Sequence, residues 1–222
     1  MKLAVISDVH ANLEALQAVL ADIEAQGINK IYCCGDIVGF GANPGKCIKL
    51  LEEKEVISVQ GNQDFTVVTL QNIDWYNDEA RAVIMWTYKQ LWKTEKKYLL
   101  KLPVKIIRKR LSIFHGTPKS MYEGVYPDGD LKSLSSMVNT RMLFLGHTHV
   151  PFVADVNKVL IVNPGSVGMP FDGNPKASYA VVNTKNLTAG IKRVEYDIKT
   201  AAGKIIKAGL PTSIAKRLYK GV

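Results

Sequence analysis

The stretch LFLGHTHVPF (143–152) starts as a buried-type apolar run, breaks at a glycine and then sets His147 and His149 one residue apart. The chain has four histidines, and each stands where a strand-like run stops. SDVH puts Asp8 and His10 after the first run, and GD puts Asp36 after the second. GNQD puts Asn62, Gln63 and Asp64 after the third, and FHG puts His115 after a later one. Singly, each has an ordinary explanation: a capped turn for Asp-x-His, a carbonyl partner for a strand-end His, a turn role for Asn62 after Gly61. Together they form a nitrogen and oxygen donor set suited to two divalent transition ions, manganese favoured, with iron, nickel, cobalt or zinc compatible. The lack of thiolate argues against a structural zinc. Two such cations about 3.5–4 Å apart, bridged by one carboxylate, clamp the attacking and leaving oxygens of a phosphoryl group and ionise a shared water near neutral pH. Residues i and i+2 of an extended tip share one side, which places His147 and His149 to serve adjacent ions.

The elements that position these groups alternate. KLAVIS (2–7) reads as a strand, and Asn12 as the cap of a helix whose Leu13, Leu16, Leu20 and Ile23 share a face, with Gly27 as its stop. KIYCC (30–34) is the next strand, Asn43-Pro44 opens a helix to about residue 54, and VISVQ (56–60) is the third strand. This βαβαβ order implies a parallel sheet with its polar residues past the carboxyl ends of the strands, where open α/β sheets take ligands. Residues 65–103 read as a helical cap insertion: Ala80, Val83, Ile84, Thr87 and Leu91 share a helical face, and a short helix after Thr94 stops at Pro103. All three tryptophans fall in this insertion, as one wall of a cleft or as its internal packing. From residue 104 strands dominate, beginning with a hairpin of VKIIRK and RLSIFH. A loop with a short helix follows (117–139), then five further strands and a closing helical region over 198–220. A second sheet stacked on the first, with helices outside, buries them all.

With 222 residues, 47% of them hydrophobic, the chain suits one domain over 1–222. No apolar run reaches the roughly 18 residues a membrane span needs, and MKLAVIS runs straight into Asp8 with no cleavage site, so a strand and a cytoplasmic home are expected. Cys33 and Cys34 are neighbours in a strand and point to opposite faces; with Cys47 they read as reduced, buried thiols. Residues 1–100 hold 10 Lys/Arg against 13 Asp/Glu, a net of −3, which leaves +12 of the total +9 on residues 101–222. That basic half favours anionic partners, although a solvated lysine-rich surface explains it as well and nucleic acid is not favoured.

The ordered series D-x-H, G-D, G-N-x-D, H-G and G-H-T-H resembles the calcineurin-like metallophosphoesterase superfamily, from Lys2 to about Pro151. NPGSVGMP (163–170) and the residues after it are similar to the small single-domain microbial phosphodiesterase branch. The resemblance implies a four-layer αββα sandwich of two mixed sheets flanked by helices. It implies one ion held by Asp8, His10, Asp36 and His149, and a second by Asp36, Asn62, His115 and His147, with Asp36 as the bridge. Asn12 and Ser166 would lie at the rim and meet phosphate, unless they only cap and turn the chain.

One position departs from that pattern. Many members of the family read G-N-H-D or G-N-H-E, where the histidine protonates the leaving group, and this chain has Gln63. An amide donates a hydrogen bond but releases no proton, and no spare histidine exists. The expectation is a dinuclear metal-dependent phosphoesterase that favours phosphodiesters over alkyl monoesters, with Asp64 holding Gln63 or the turn. A nucleotide phosphohydrolase or broad phosphomonoesterase is the near alternative. A non-catalytic scaffold of the same fold is a more distant one, because every ligand is retained.

Overall fold

The structure is a computed structural model that describes residues 1–222. Alternation in β1 (Lys2–Ile6) sends Leu3 and Val5 into one apolar cluster and Ala4 and Ile6 into another, so both faces are buried. Beside it run β2 (Ile31–Cys33) and β3 (Ile57–Ser58), both parallel. The same alternation separates the adjacent thiols, with Cys33 in one cluster and Cys34 in the other, and all three cysteines are free and buried.

The middle of the chain adds the antiparallel hairpin β4 (Lys105–Arg108) and β5 (Leu111–Phe114), and then β6 (Met142–Phe144), parallel to β5. They are followed by β7 (Phe152–Val156), β8 (Val159–Asn163), β9 (Ala177–Asn183) and β10 (Thr188–Val194). Two five-stranded sheets result, ordered β10-β9-β1-β2-β3 and β4-β5-β6-β8-β7. Each mixes parallel and antiparallel pairs. Leu3, Val5, Tyr32 and Val182 of the first sheet meet Ile113, Phe144 and Val162 of the second in a core between them, each such side chain contributing about 1.5–3 kcal/mol by leaving water.

Helices α1 (Leu13–Ala25) and α2 (Pro44–Glu53) cover the outer face of the first sheet through Leu16, Val19, Leu20, Ile23, Cys47 and Leu51. Asn12 caps α1 by accepting from the Ala15 amide, whereas Asn43 makes no side-chain cap for α2. Between β3 and β4 lie α3 (Asn62–Thr69), which starts ahead of the insertion expected over 65–103, a 3-10 turn over Ile73–Trp75, α4 (Asp78–Gln90) and α5 (Lys93–Lys101). Helix α6 (Leu131–Ser136) covers the second sheet. The closing pair, α7 (Ile198–Lys207) and α8 (Thr212–Lys220), packs with Val83 of α4. No helix is long and apolar enough to cross a membrane.

Two expectations shift. The third strand shrinks to Ile57–Ser58 because the Gln60 amide turns away to bond the Pro103 carbonyl. Asn62 opens a helix rather than sitting in a simple turn, since Gly61 serves as its extended N-cap residue. Trp86 packs against the closing helices, but Trp75 and Trp92 are 69% and 76% exposed, so the tryptophans are not one internal cluster.

Candidate metal centre

The carboxyl ends of β1, β2, β5 and β6, with the N-terminus of α3, bring seven side chains together. Five of the seven sit on left-handed backbone: Asp8 (φ 52°), His10 (48°), Asp36 (53°), His147 (70°) and His149 (59°). Such backbone is costly for L-residues and persists where surrounding packing fixes it, typically at functional sites. The GHTH segment is therefore a coiled turn beyond β6, not an extended tip, and its two histidines point to different halves of the centre. Asn163 holds this turn: its Nδ2 donates to the Gly146 carbonyl at 2.9 Å and to Thr148 Oγ1 at 3.0 Å. Close approach also demands glycine at 61, where a Cβ would lie 2.1 Å from Asp36 Oδ1 and 2.4 Å from the Asp36 backbone nitrogen.

Donor atoms fall into two groups. In the first, Asp8 Oδ1 lies 3.4 Å from His149 Nε2 and 3.7 Å from His10 Nε2. In the second, Asn62 Oδ1 lies 2.8 Å from His115 Nε2 and 3.0 Å from His147 Nδ1. Asp36 Oδ2 stands between the groups, 3.4 Å from His115 Nε2 and 3.9 Å from His10 Nε2. Asp8 also comes within ligand reach of Asp36 and His115. Backbone amides fix the far oxygens of both carboxylates: Gln63 N donates to Asp36 Oδ1 at 2.9 Å and His147 N to Asp8 Oδ2 at 3.1 Å.

The tautomers are set from outside. His10 Nδ1 faces the Val38 carbonyl at 3.3 Å, His115 Nδ1 that of Cys34 at 2.8 Å and His149 Nδ1 that of Met169 at 2.5 Å. Protons on those nitrogens leave the Nε2 lone pairs of His10 and His149 facing each other at 3.0 Å, a contact that calls for a cation between them. Asp8 Oδ1 is buried with no hydrogen-bond partner, which also calls for one. The donor set thus fits a pair of divalent ions.

Electrostatics agree with that fit. Burial alone would raise the Asp8 and Asp36 carboxyls, but His149 beside Asp8 and His115 beside Asp36 hold both below the usual carboxylate range. Burial and the neighbouring His149 bring His10 down to about 4, and burial with His115 lowers His147. His115 alone goes the other way: burial opposes its charge, yet Asp36 raises it to about 9.

The remaining sequence candidates stand behind this centre. Asp64 Oδ1 accepts from the Ile37 and Val38 amides and Oδ2 from that of Gly61, so it ties the Asp36 loop to the start of α3 rather than holding the Gln63 side chain. Gln63 is buried with Oε1 against Gly39. Ser166 Oγ donates to the Asp8 carbonyl and accepts from the Met169 amide; Asn12 caps α1 and donates to the Gly168 carbonyl. Both are buried, so in this structure they brace the chain under the centre. Three aromatic neighbours carried no sequence signal: Phe171 stacks on His149 at 4.3 Å, Phe40 meets His10 edge-on at 4.9 Å, and Tyr76 Oη accepts from Asn62 Nδ2 at 2.7 Å.

A family model described as the calcineurin-like phosphoesterase superfamily domain matches residues 1–187. The chain is 40% identical to an uncharacterised protein of Methanocaldococcus jannaschii, an alignment covering 99% of this chain and 98% of the relative. It is 26% identical to phosphodiesterase YfcE of Escherichia coli over 85% of this chain and 90% of that one. The crystal structure of a metallophosphoesterase from Sphaerobacter thermophilus superposes with a TM-score of 0.89 at 36% identity, covering 100% of both chains.

Proposed function

Because this chain belongs to the calcineurin-like phosphoesterase superfamily, we propose that it is a dinuclear metal-dependent phosphodiesterase acting on small phosphorylated substrates. The observation that carries the reading is the pair of Nε2 lone pairs of His10 and His149 facing each other at 3.0 Å beside the unpartnered Asp8 Oδ1. Asp8, His10, Asp36 and His149 would hold one ion and Asp36, Asn62, His115 and His147 the other. Bound there, a pair of divalent ions supplies Lewis-acid charge for the phosphoryl oxygens and for ionising a water nucleophile.

The chain's own part is to fix those donors. Carbonyls of Val38, Cys34 and Met169 set three imidazole rings, and the Gln63 and His147 amides set the two carboxylates. Gln63 offers no proton to a departing alkoxide, which favours diesters and other good leaving groups over alkyl monoesters. The name of the E. coli relative supports the same class. The buried free thiols fit a reducing compartment such as the cytoplasm.

The test is metal analysis of the purified protein, then a panel of phosphodiesters, phosphomonoesters and nucleotides with manganese. Diester hydrolysis should dominate and should vanish on chelation and in Asp36→Ala. Activity that survives chelation would overturn the reading; preference for nucleotides or monoesters would replace diesters as the substrate class.

A further inference from the structure

The seven donors are not braced alike. His10, His115 and His149 lean on main-chain carbonyls of Val38, Cys34 and Met169. Asn62 leans instead on a side chain of the cap insertion, since its Nδ2 donates to Tyr76 Oη at 2.7 Å. A side-chain amide can turn either end toward a neighbouring site, and only its oxygen is a ligand for a cation. Here Oδ1 faces His115 and His147, while the NH2 end is held by the phenol. Thr66 Oγ1, fully buried on the next turn of α3, lies 3.4 Å from Tyr76 Oη and can take the phenol's own hydrogen.

The segment carrying Tyr76 is itself anchored. Asn72 Nδ2 donates to Tyr122 Oη at 2.9 Å, and the Trp75 and Tyr122 rings meet edge-on at 5.0 Å. Two residues past Tyr122, a Cβ on Gly124 would lie 3.1 Å from His147 Cδ2. The cap and the 120–124 loop thus close on Asn62 and His147, two donors of the same group.

We propose that Tyr76 is a positioning residue for the second ion: its hydroxyl holds the Asn62 amide so that oxygen, not nitrogen, faces the His115 and His147 half of the centre. This rests on the two-ion reading above. Burial pushes the phenol up to about 12, so the hydroxyl stays intact at working pH.

The experiment is manganese titration of the metal-free full-length protein by calorimetry and by electron paramagnetic resonance, with thermal melts beside it. Tyr76→Phe keeps the ring and should leave the first binding step within about twofold while weakening the second by roughly tenfold or more, the usual scale for a lost partner of a metal ligand. In an Asn62→Asp background, where either end presents oxygen, adding Tyr76→Phe should change the second step by less than about threefold, a non-additive pair. An unchanged second step, equal weakening of both steps, or the same loss in both backgrounds would overturn the assignment while leaving the two-ion reading intact. Wild-type protein that takes up fewer than two ions would sink the two-ion reading and this inference with it.

Discussion

His10 and His149 aim Nε2 at Nε2 across 3.0 Å while each ring's Nδ1 is bonded to a backbone carbonyl. Two unprotonated imidazoles repel at that distance, and a cation turns the repulsion into ligation. Manganese should therefore raise the melting temperature. At one hundred times its dissociation constant a ligand adds about 2.7 kcal/mol, or roughly 5–11 °C for a chain of this size. Asp8→Ala and His149→Ala should lose most of that shift in a thermal melt with and without metal; a full shift in either variant contradicts the site.

Ion binding should also release a proton. Without metal, Asp36 raises His115 to about 9 against the opposing pull of burial, so between pH 7 and 9 the ion must displace a proton from that ring. The proton competes less as pH rises, and apparent affinity should strengthen up to about tenfold per pH unit across this window. Calorimetry at pH 7.5 in two buffers of different ionisation enthalpy should count about one proton lost.

Gly61 has an ordinary φ of −95°, so its requirement is steric alone. A Cβ there would meet the backbone nitrogen of Asp36 at 2.4 Å, and the loop carrying Asp36 would have to move. Gly61→Ala should lower stability by about 1–3 kcal/mol and weaken manganese binding at least tenfold. Gly203→Ala is the contrast: nothing lies within 4 Å of a Cβ inside α7, and urea unfolding should show a gain of up to about 1 kcal/mol.

Gln63→His tests the leaving-group argument. Gln63 is buried with its side-chain oxygen against Gly39, and histidine is a planar side chain of similar length. An added proton donor should raise turnover on alkyl phosphate esters by roughly 10²-fold while changing nitrophenyl esters little. A uniform gain, or none, across leaving groups would count against a missing acid.

That these seven side chains would cluster was legible because their types are rare and stand where apolar runs end, all four histidines among them. The sandwich was legible because KLAVI, MLF and VLIVN are apolar on both faces, as buried strands must be. What stayed hidden depends on three-dimensional return. Tyr76 sits in an irregular turn with no periodicity, and only folding of the cap brings its hydroxyl to Asn62. Asp64 and Ser166 carry side chains suited to catalysis, yet their partners are amides and a carbonyl brought close by loops. Short-range pattern does not reveal which way such a side chain turns. The left-handed turn of GHTH was hidden too, because the Asn163 side chain that bonds to it lies farther along the chain.

Placing five donors on backbone that suits glycine better has an evolutionary price. At about 1 kcal/mol or more apiece, the contortion withholds a sum comparable to the whole margin by which ordinary domains stay folded. A descendant released from chemistry could relieve that strain with glycine only by giving up the amide bonds to Asp8 and Asp36 and the packing of three imidazole rings, so the geometry, once built, is hard to abandon piecemeal.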